Sequence, residues 1–541
     1  MQNQKWIVLF LLVFGFFLFV YKVGDRDLWA PDEDEYAQVS REMVQLGHWI
    51  FPTVNESPYV IKPVLYNWLM AAISVPSGDV NEFRARIFSS LAALGTILVI
   101  FYLGKLMFSV RAGFLASLIL GTSALFLQYA RWTQINMLST LFLTLTLFLF
   151  YRGYTHPEKR NLSYLLMYIP PGLGMLNMGP VDLVMPVLVI GLYILAMKDL
   201  KHLKELKLGW GILIVLAISL PYYLIMSIKG EYAFGLLVKT NFIRYFDTWA
   251  HRRPFYYYFA TLGGCFLPWT IFLPGALYHA FSSRSKAERK NLLFLLIWAT
   301  SIFLFFSLSQ CKRSEYILPI YPALALLIAY LGDQAIEKWN DRYFQKWTLI
   351  PSFIFLCFLG LAAIGVPVFS WIYQRSWFFI SLWMSVILGL FTILIFIAWR
   401  RKIPLLLFCL PAFLVFTLMV YGVHFVIPKM EEFKSPRPLC QEINAQLKNG
   451  GQWAMYHYLP PVYVYYTHRF AKKLENEEDL KNFLEQKSPS LVLMRVQDYK
   501  KIKDSLGIQT YVLQRNKVGH RDLVLISNQA GQKGKIGESS E

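Results

Sequence analysis

Apolar runs of roughly 17 to 25 residues, each long enough to cross a lipid hydrocarbon core as a helix, recur at about thirteen places along this chain. They lie at 5–22, 87–108, 112–130, 137–153, 162–176, 179–197, 209–227, 259–280, 291–308, 316–332, 347–370, 377–399 and 403–424. Within lipid a segment must satisfy its own backbone polar groups, so the pattern restricts the chain to a polytopic bundle of transmembrane α-helices. Composition agrees: of 541 residues 56% are hydrophobic and only 16% charged, too apolar for an ordinary soluble domain. The first run has no small-residue cleavage site after it and reads as a retained helix. Of five cysteines, Cys265, Cys357 and Cys409 lie inside apolar runs, which implies no disulfide framework.

The formal net charge of +19 is informative through its distribution. Lys and Arg stand in short clusters between apolar runs, with no single basic module, which argues against a nucleic-acid partner. With the N-terminus in the cytoplasm, alternate loops carry Lys105/Arg111, HPEKR, KDLKHLKELK, RSKAERK, the 338–346 segment and RRK, together about 20 cations. The short loops on the other face hold Arg131, Lys312, Arg313 and Arg375. Three large segments are thereby placed outside: the loops 24–86 and 229–258, and everything after Val426. The expected organisation is a membrane domain over 1–425, a small outer α/β domain over 426–528 and a disordered tail over 529–541. In the outer domain LCQEINAQLK reads as helix, and WAMYHY, VYVYYT, SLVLMRV and DLVLIS read as short strands.

Asp182, near the outer end of its run, is the one carboxylate inside an apolar stretch, whereas an ion-coupled transporter usually needs charge near the midplane. The chemistry therefore belongs at the outer water boundary. Four outer segments carry candidate groups. Asp32, Glu33, Asp34 and Glu35 precede YAQVSREM; they read either as a helix N-cap with solvated neighbours, or as a general base and metal ligands. Lys62-Pro63 leads into an interfacial stretch, where the lysine serves as a snorkelling anchor or a phosphate-binding cation. His251, Arg252 and Arg253 precede a tyrosine triplet, and two adjacent outer arginines run against the topology rule unless they bind a phosphate or head group. Lys312, Arg313, Glu315 and Tyr316 repeat that pattern, and Arg131 and Asn136 occupy a short outer turn. Carboxylates and several cations on one face suit transfer from a membrane-anchored phosphate carrier: the cations stabilise the departing phosphate and a carboxylate takes the acceptor's proton. No glycine-rich phosphate loop and no His/Cys cluster with zinc spacing is present.

LWAPDEDEYAQVSREM, GHWIFP and KPVLYNW together resemble the first outer loop of the bacterial aminoarabinose transferases that modify lipid A, with the pattern LW-x-PDE-x-x-YA-x-x-SREM, G-x-W-x-x-P and EKP. AHRRPFYYYFATLGGCFLPWTIFLPGALY and FFSLSQCKRSEYILPIYPALALL resemble later stretches of the same enzymes. The wider class is the GT-C glycosyltransferases that use polyprenyl-phosphate sugars, protein O-mannosyltransferases included. The resemblance implies a GT-C-like fold and inverting transfer from a polyprenyl-monophosphate sugar to lipid A, lipopolysaccharide or a related envelope acceptor. It also implies a multi-pass protein of the bacterial inner membrane with its site and C-terminal domain in the periplasm. Asp32 is then the essential carboxylate, assisted by Glu33 or Glu35. Lys62, Arg252 or Arg253, Lys312 and Tyr316 attend the carrier phosphate. Tyr36, Tyr59, Arg131, Asn136, Asp182 and His251 complete the set as acceptor or sugar contacts. No cofactor is required by this scheme; if a divalent cation takes part, Asp32, Glu33 or His251 would hold it.

Departures from the pattern concern the sugar. Glu35 stands where these enzymes usually have Arg, Ile61 where they have Glu, Asn136 where an acid is expected, and Met178 where a TKG turn has Lys. A neutral hexose, a uronic acid or another pentose therefore competes with aminoarabinose. Two other readings stand beside lipid A modification: transfer to an exported protein, and a lipid-carrier flippase that binds head groups without bond chemistry.

Overall fold

The computed structural model describes residues 2–228, 243–246, 251–282, 286–448, 450–457 and 459–530. The outer loop expected over 229–258 lies outside the described residues at 229–242 and 247–250, as do Arg284 of the basic RSKAERK run and most of the tail expected over 529–541. The chain divides into two compact units. The first comprises Met1–Val23, Val60–Leu69 and Arg86–Val426; the second comprises Gly24–Tyr59, Met70–Ala85 and Ile427–Glu541.

The first unit is helical and is a multi-pass membrane domain. Among the described residues eight helical segments are long and apolar enough to cross a membrane, running from Glu82–Met107 to Pro404–Lys434, with two bent pairs raising the number to ten. Val110–Gly121 meets Ala124–Ala130 at 70°, and Tyr257–Cys265 meets the 269–282 segment at 111°. The shorter apolar stretches Gln4–Val20 and Val181–Ala196 correspond to two more of the expected runs. The run expected at 162–176 is broken into Arg160–Leu166 and Ile169–Asn177, where Pro170 and Pro171 open the second piece. Proline tolerates the first helical turn, whose N–H groups lack intrahelical partners.

Burial grades across this bundle as lipid dictates. The Tyr321–Glu337 helix is buried along nearly its whole length. The 342–373 and 375–400 spans instead expose large apolar side chains such as Leu361 (73%) and Phe379 (74%), as they would toward hydrocarbon tails. Where helices approach closely, small residues make room. A Cβ on Gly104 would stand 2.7 Å from Gly113 Cα, so the Glu82–Met107 and Val110–Gly121 helices touch backbone to backbone. Polar groups inside the bundle hold frayed helix ends. Ser90 Oγ donates within reach of the carbonyls of Phe19 (2.9 Å) and Ala130 (2.8 Å), and Arg86 Nη1 donates to Val23 O at 2.9 Å.

The second unit combines the segment around the acid run with the C-terminal residues. After Glu33–Leu46 the chain turns at Gly47 (φ +75°), the left-handed conformation that ends helices and favours glycine. A two-stranded hairpin follows, β1 (Thr53–Val54) and β2 (Ser57–Pro58). Its turn residues Asn55 and Glu56 both have positive φ, as a two-residue hairpin turn requires. The C-terminal residues form a five-stranded sheet from β3 (Gln452–Tyr456), β4 (Lys472–Leu474), β5 (Ser490–Arg495), β6 (Tyr511–Val518) and β7 (Arg521–Ser527), in the order β4-β3-β5-β7-β6. β4, β3 and β5 are parallel, and β7 and β6 add an antiparallel edge. LCQEINAQLK is helical as expected as far as Gln446, in the helix Arg437–Gln446. VYVYYT is not a strand but the helix Val462–Thr467, all six residues buried. Its β-branched and aromatic composition suits a strand, yet Pro461 precedes it and the Asp34 carboxylate accepts from Val462 N (3.1 Å), so tertiary partners override propensity. β6 was not expected: the polar block Gln514–Lys517 interrupts its apolar residues, as suits an edge strand.

Candidate active site

The expected site residues fall in both units. Asp32, Glu33, Glu35, Tyr36 and Tyr59 belong to the second; Lys62, Arg131, Asn136, Asp182, His251, Arg252, Arg253, Lys312 and Tyr316 belong to the first.

In the second unit the four acids have four environments. Asp32 occupies the N-cap position of the Glu33–Leu46 helix, and its backbone carbonyl starts the helix by accepting from Tyr36 N (3.1 Å). Its side chain makes no capping bond. Its backbone sits at φ +83°, ψ −54°, close to the strained γ-turn conformation that a residue with a Cβ rarely adopts. Such strain persists where surrounding structure enforces it, and it collects at functional sites. Glu33 is neither solvated nor open: it is fully buried, paired with Arg26 (2.8 Å), and accepts from Trp29 N (3.1 Å). The turn before Asp32 is thereby clamped to the helix after it. Asp34 is buried too, and the expectation of solvated neighbours fails for both. Glu35 stays half-exposed.

Tyr59 completes this cluster. Burial first, then the negative charge of Glu35 and Asp32, push its hydroxyl well above the ordinary phenol range, so it remains a proton donor beside two carboxylates. Glu42, on the same helix as Tyr36, fixes the hairpin that delivers Tyr59: it accepts from Gln38 Nε2 (2.8 Å), Thr53 Oγ1 (2.6 Å) and Asn55 N (2.6 Å). Tyr36 is buried on that helix. The chain passes from Tyr59 to Lys62 in three residues.

In the first unit Lys62 is half-exposed and its charge acts on the buried Asp182. Asp182 Oδ2 accepts from Ser139 Oγ (2.7 Å), and Asn177 Nδ2 donates to the same Ser139 Oγ (2.9 Å) and to Ile135 O (3.0 Å). Asn136, one turn from Ser139, is buried and donates to Gln134 Oε1 (3.0 Å). Arg131 Nη1 and Nη2 donate to the carbonyls of Leu18 (2.9 Å) and Tyr21 (2.8 Å), work that ties the turn to the end of the first helix.

The two later motifs are brought together by backbone pairing. Arg252 bridges Cys311 antiparallel, and Lys312 N donates to His251 O at 3.1 Å. His251, Arg252 and Arg253 are exposed, and among the described residues neither arginine makes an ion pair; the Arg253 guanidinium stands 6.0 Å from the Tyr257 ring. His251 has φ +60°. Lys312 turns inward, buried and bonded to the Ser309 carbonyl, and burial lowers its ammonium below the ordinary lysine range. Its exposure is thus smaller than a phosphate-binding role anticipates. Arg313 pairs with Glu315, which also accepts from Tyr129 (3.0 Å). Tyr316 is half-exposed, its ring tilted on Phe306 at 5.5 Å. Among the described residues no three His, Cys, Asp or Glu side chains converge to hold a metal ion.

Two structural features of the acid-bearing helix escaped the sequence reading. Asp34 was one of four acids in a row, with nothing to separate it from its neighbours. Arg41, in SREM, binds Asp79 through Nε (2.5 Å) and Nη2 (3.3 Å), donates to the carbonyls of Tyr465 and Val80, and stacks on the Tyr465 ring.

Comparison with known proteins places this geometry in context. The family described as dolichyl-phosphate-mannose-protein mannosyltransferase matches residues 61–225. An uncharacterised protein of Aquifex aeolicus is 28% identical over 439 residues, covering 80% of this chain and 81% of its own. The undecaprenyl phosphate-α-4-amino-4-deoxy-L-arabinose arabinosyl transferase of Aeromonas salmonicida is 30% identical over 380 residues, covering 68% of this chain and 67% of its own length. The crystal structure of ArnT from Cupriavidus metallidurans bound to undecaprenyl phosphate superimposes with a TM-score of 0.83 at 22% identity, covering 98% of this chain and 99% of that one, which shows the fold.

Proposed function

Because the chain belongs to the family of undecaprenyl phosphate-α-4-amino-4-deoxy-L-arabinose arabinosyl transferases, we propose that it transfers a sugar from a polyprenyl-monophosphate carrier to lipid A, with inversion at the anomeric carbon. In this reaction the bond between the anomeric carbon and the carrier phosphate oxygen breaks as a bond to the acceptor oxygen forms. Asp32 takes the acceptor's proton or orients its oxygen. Lys62 and the exposed pair Arg252 and Arg253 neutralise the charge left on the carrier phosphate. Tyr59, held protonated beside the carboxylates with its hydroxyl unpartnered among the described residues, is available to donate to the sugar or acceptor, and Lys312 and Tyr316 belong to the segment whose Cys311 pairs with Arg252. The observation that carries the assignment of the acid is the Asp32 backbone: a strained, non-glycine conformation at a carboxylate whose side chain does no capping.

The charge distribution of the loops supports a cytoplasmic N-terminus in a bacterial inner membrane, with the Asp32 segment facing the periplasm. The C-terminal residues 426–528 and the 24–59 and 70–85 segments lie on that side. The sugar is the least constrained element, since Ile61 and Asn136 carry no charge to meet an amino group. Purified enzyme offered lipid A with radiolabelled undecaprenyl-phosphate aminoarabinose, a neutral pentose donor and a neutral hexose donor decides it. Transfer from at least one donor, with release of undecaprenyl phosphate, is expected. Carrier binding without transfer from any of them, to lipid A or to envelope protein, contradicts the proposal and favours a flippase.

A further inference from the structure

Basic residues gather around a cavity at the other end of the bundle. A cavity of about 430 Å³ is lined by Tyr102, Lys105, Leu106, Phe148, Arg152, His156 and Lys159, within the roughly 300–1,000 Å³ usual for small-ligand sites. Four of the seven lining side chains are basic or imidazole and none is acidic. Lys105 is in the last turn of the Glu82–Met107 helix and Arg152 in the last turn of Ile135–Thr155. Ser139 and Asn136, of the Asp182 cluster, are in the first turns of that second helix. At 1.5 Å per residue the cavity stands about 20 Å along it from that cluster, close to the opposite membrane boundary.

Two ordinary explanations account for cations here: the positive-inside rule, and the favourable field at a helix C-terminus. Neither accounts for their state. Neighbouring basic side chains are neutralised, Arg111 by Asp333 and Arg160 by Glu205 (2.5 Å). Among the described residues Arg152, Lys159 and Lys105 make no ion pair, and the Lys105 ammonium has only the neutral Gln4 amide oxygen at 3.0 Å. His156 Nδ1 is 2.9 Å from Thr155 Oγ1. Exposed Tyr102 and half-buried Phe148 provide the apolar wall that a lipid's glycerol and first methylenes require.

We infer that this cavity is a binding site for the phosphate-bearing headgroup of an anionic membrane glycerophospholipid, with Arg152 and Lys159 on the phosphate and Lys105 across from them. The site is separate from the proposed sugar-transfer site and binds whether or not transfer occurs. Each basic residue meeting an anionic lipid contributes enough that losing two lowers affinity about thirtyfold.

The test uses the full-length protein in zwitterionic detergent, with fluorescent phosphatidylglycerol as probe and phosphatidylcholine and inorganic phosphate as competitors. Saturable binding is expected, displaced by unlabelled phosphatidylglycerol and poorly by phosphatidylcholine. Arg152→Gln/Lys159→Gln should weaken it about thirtyfold, Lys105→Gln should weaken it less, and Lys204→Gln, on another basic loop, should leave it unchanged. Equal competition by phosphatidylcholine, an equal loss with Lys204→Gln, or wild-type affinity in the double variant overturns the inference. Displacement by inorganic phosphate at the same concentration as phosphatidylglycerol also overturns it, since the ligand would then be free phosphate. Should the double variant not purify as a single species, photo-crosslinking of phosphatidylglycerol to the wild type decides: adducts within 102–106 and 148–159 support the site, and adducts elsewhere alone refute it.

Discussion

Replacing Asp34 by asparagine should remove a pH dependence built into the second unit. The Asp34 carboxylate is buried, Oδ2 accepts from Val462 N at 3.1 Å, and Oδ1 has no partner among the described residues. Burial, and then the negative charge of Glu35 and of Asp32, raise its pKa from an ordinary 3.8 to about 7. Between those values the folded state holds a proton that the unfolded state has lost, so stability falls as pH rises through the window. The cost is absent below 3.8 and complete above about 7, where it amounts to roughly 4 kcal/mol. The amide oxygen introduced by Asp34→Asn would keep an acceptor for Val462 N without the charge. Hydrogen exchange of the 462–467 amides, corrected for intrinsic rates, reads this out locally. In the wild type protection should decline between pH 5 and 8; in Asp34→Asn it should stay level and exceed the wild type at pH 8. A variant with the wild-type pH dependence would refute the assignment of the proton to Asp34.

Other consequences are equally direct. Lys62→Ala should raise the KM for the polyprenyl-phosphate donor by about tenfold, near 1.4 kcal/mol, with membrane insertion unchanged because a single outer cation does not set topology; unaltered donor kinetics would show Lys62 to be an interfacial anchor. Arg41→Gln should destabilise the second unit by about 3 kcal/mol through loss of the Asp79 pair and two carbonyl contacts, measured as earlier proteolysis of the C-terminal residues in a temperature series. Gly113→Val should impair folding of the first unit, because even a Cβ there meets the Phe101 carbonyl and the Lys105 backbone nitrogen; recovery of monodisperse protein from membranes is the measure.

The bundle was legible because lipid imposes one simple demand, a long run of apolar residues, and each expected run has a helical counterpart. The breaks were less legible: the chain bends by 70° between Gly121 and Ala124 without a proline there, and such a bend depends on neighbours that no local pattern records. VYVYYT misled because six buried positions leave no periodicity to distinguish strand from helix. At the site, the motif pointed to Asp32 and Lys62. It could not separate the four acids, since Arg26, Trp29 and Val462, which decide the environments of Glu33 and Asp34, are recognisable as partners only in the fold. Lys312 shows the reverse: its position beside Arg313 suggested a phosphate contact, while its ammonium bonds the Ser309 carbonyl.

In the proposed reaction Asp32 is the carboxylate on which sugar transfer depends. Single-turnover transfer from radiolabelled undecaprenyl-phosphate sugar to lipid A by Asp32→Asn, alongside undecaprenyl phosphate binding by the same preparation, tests it most directly. A transfer rate lower by about 10² to 10⁴ is expected, with carrier binding retained. Transfer at the wild-type rate by a variant that binds the carrier normally would contradict it.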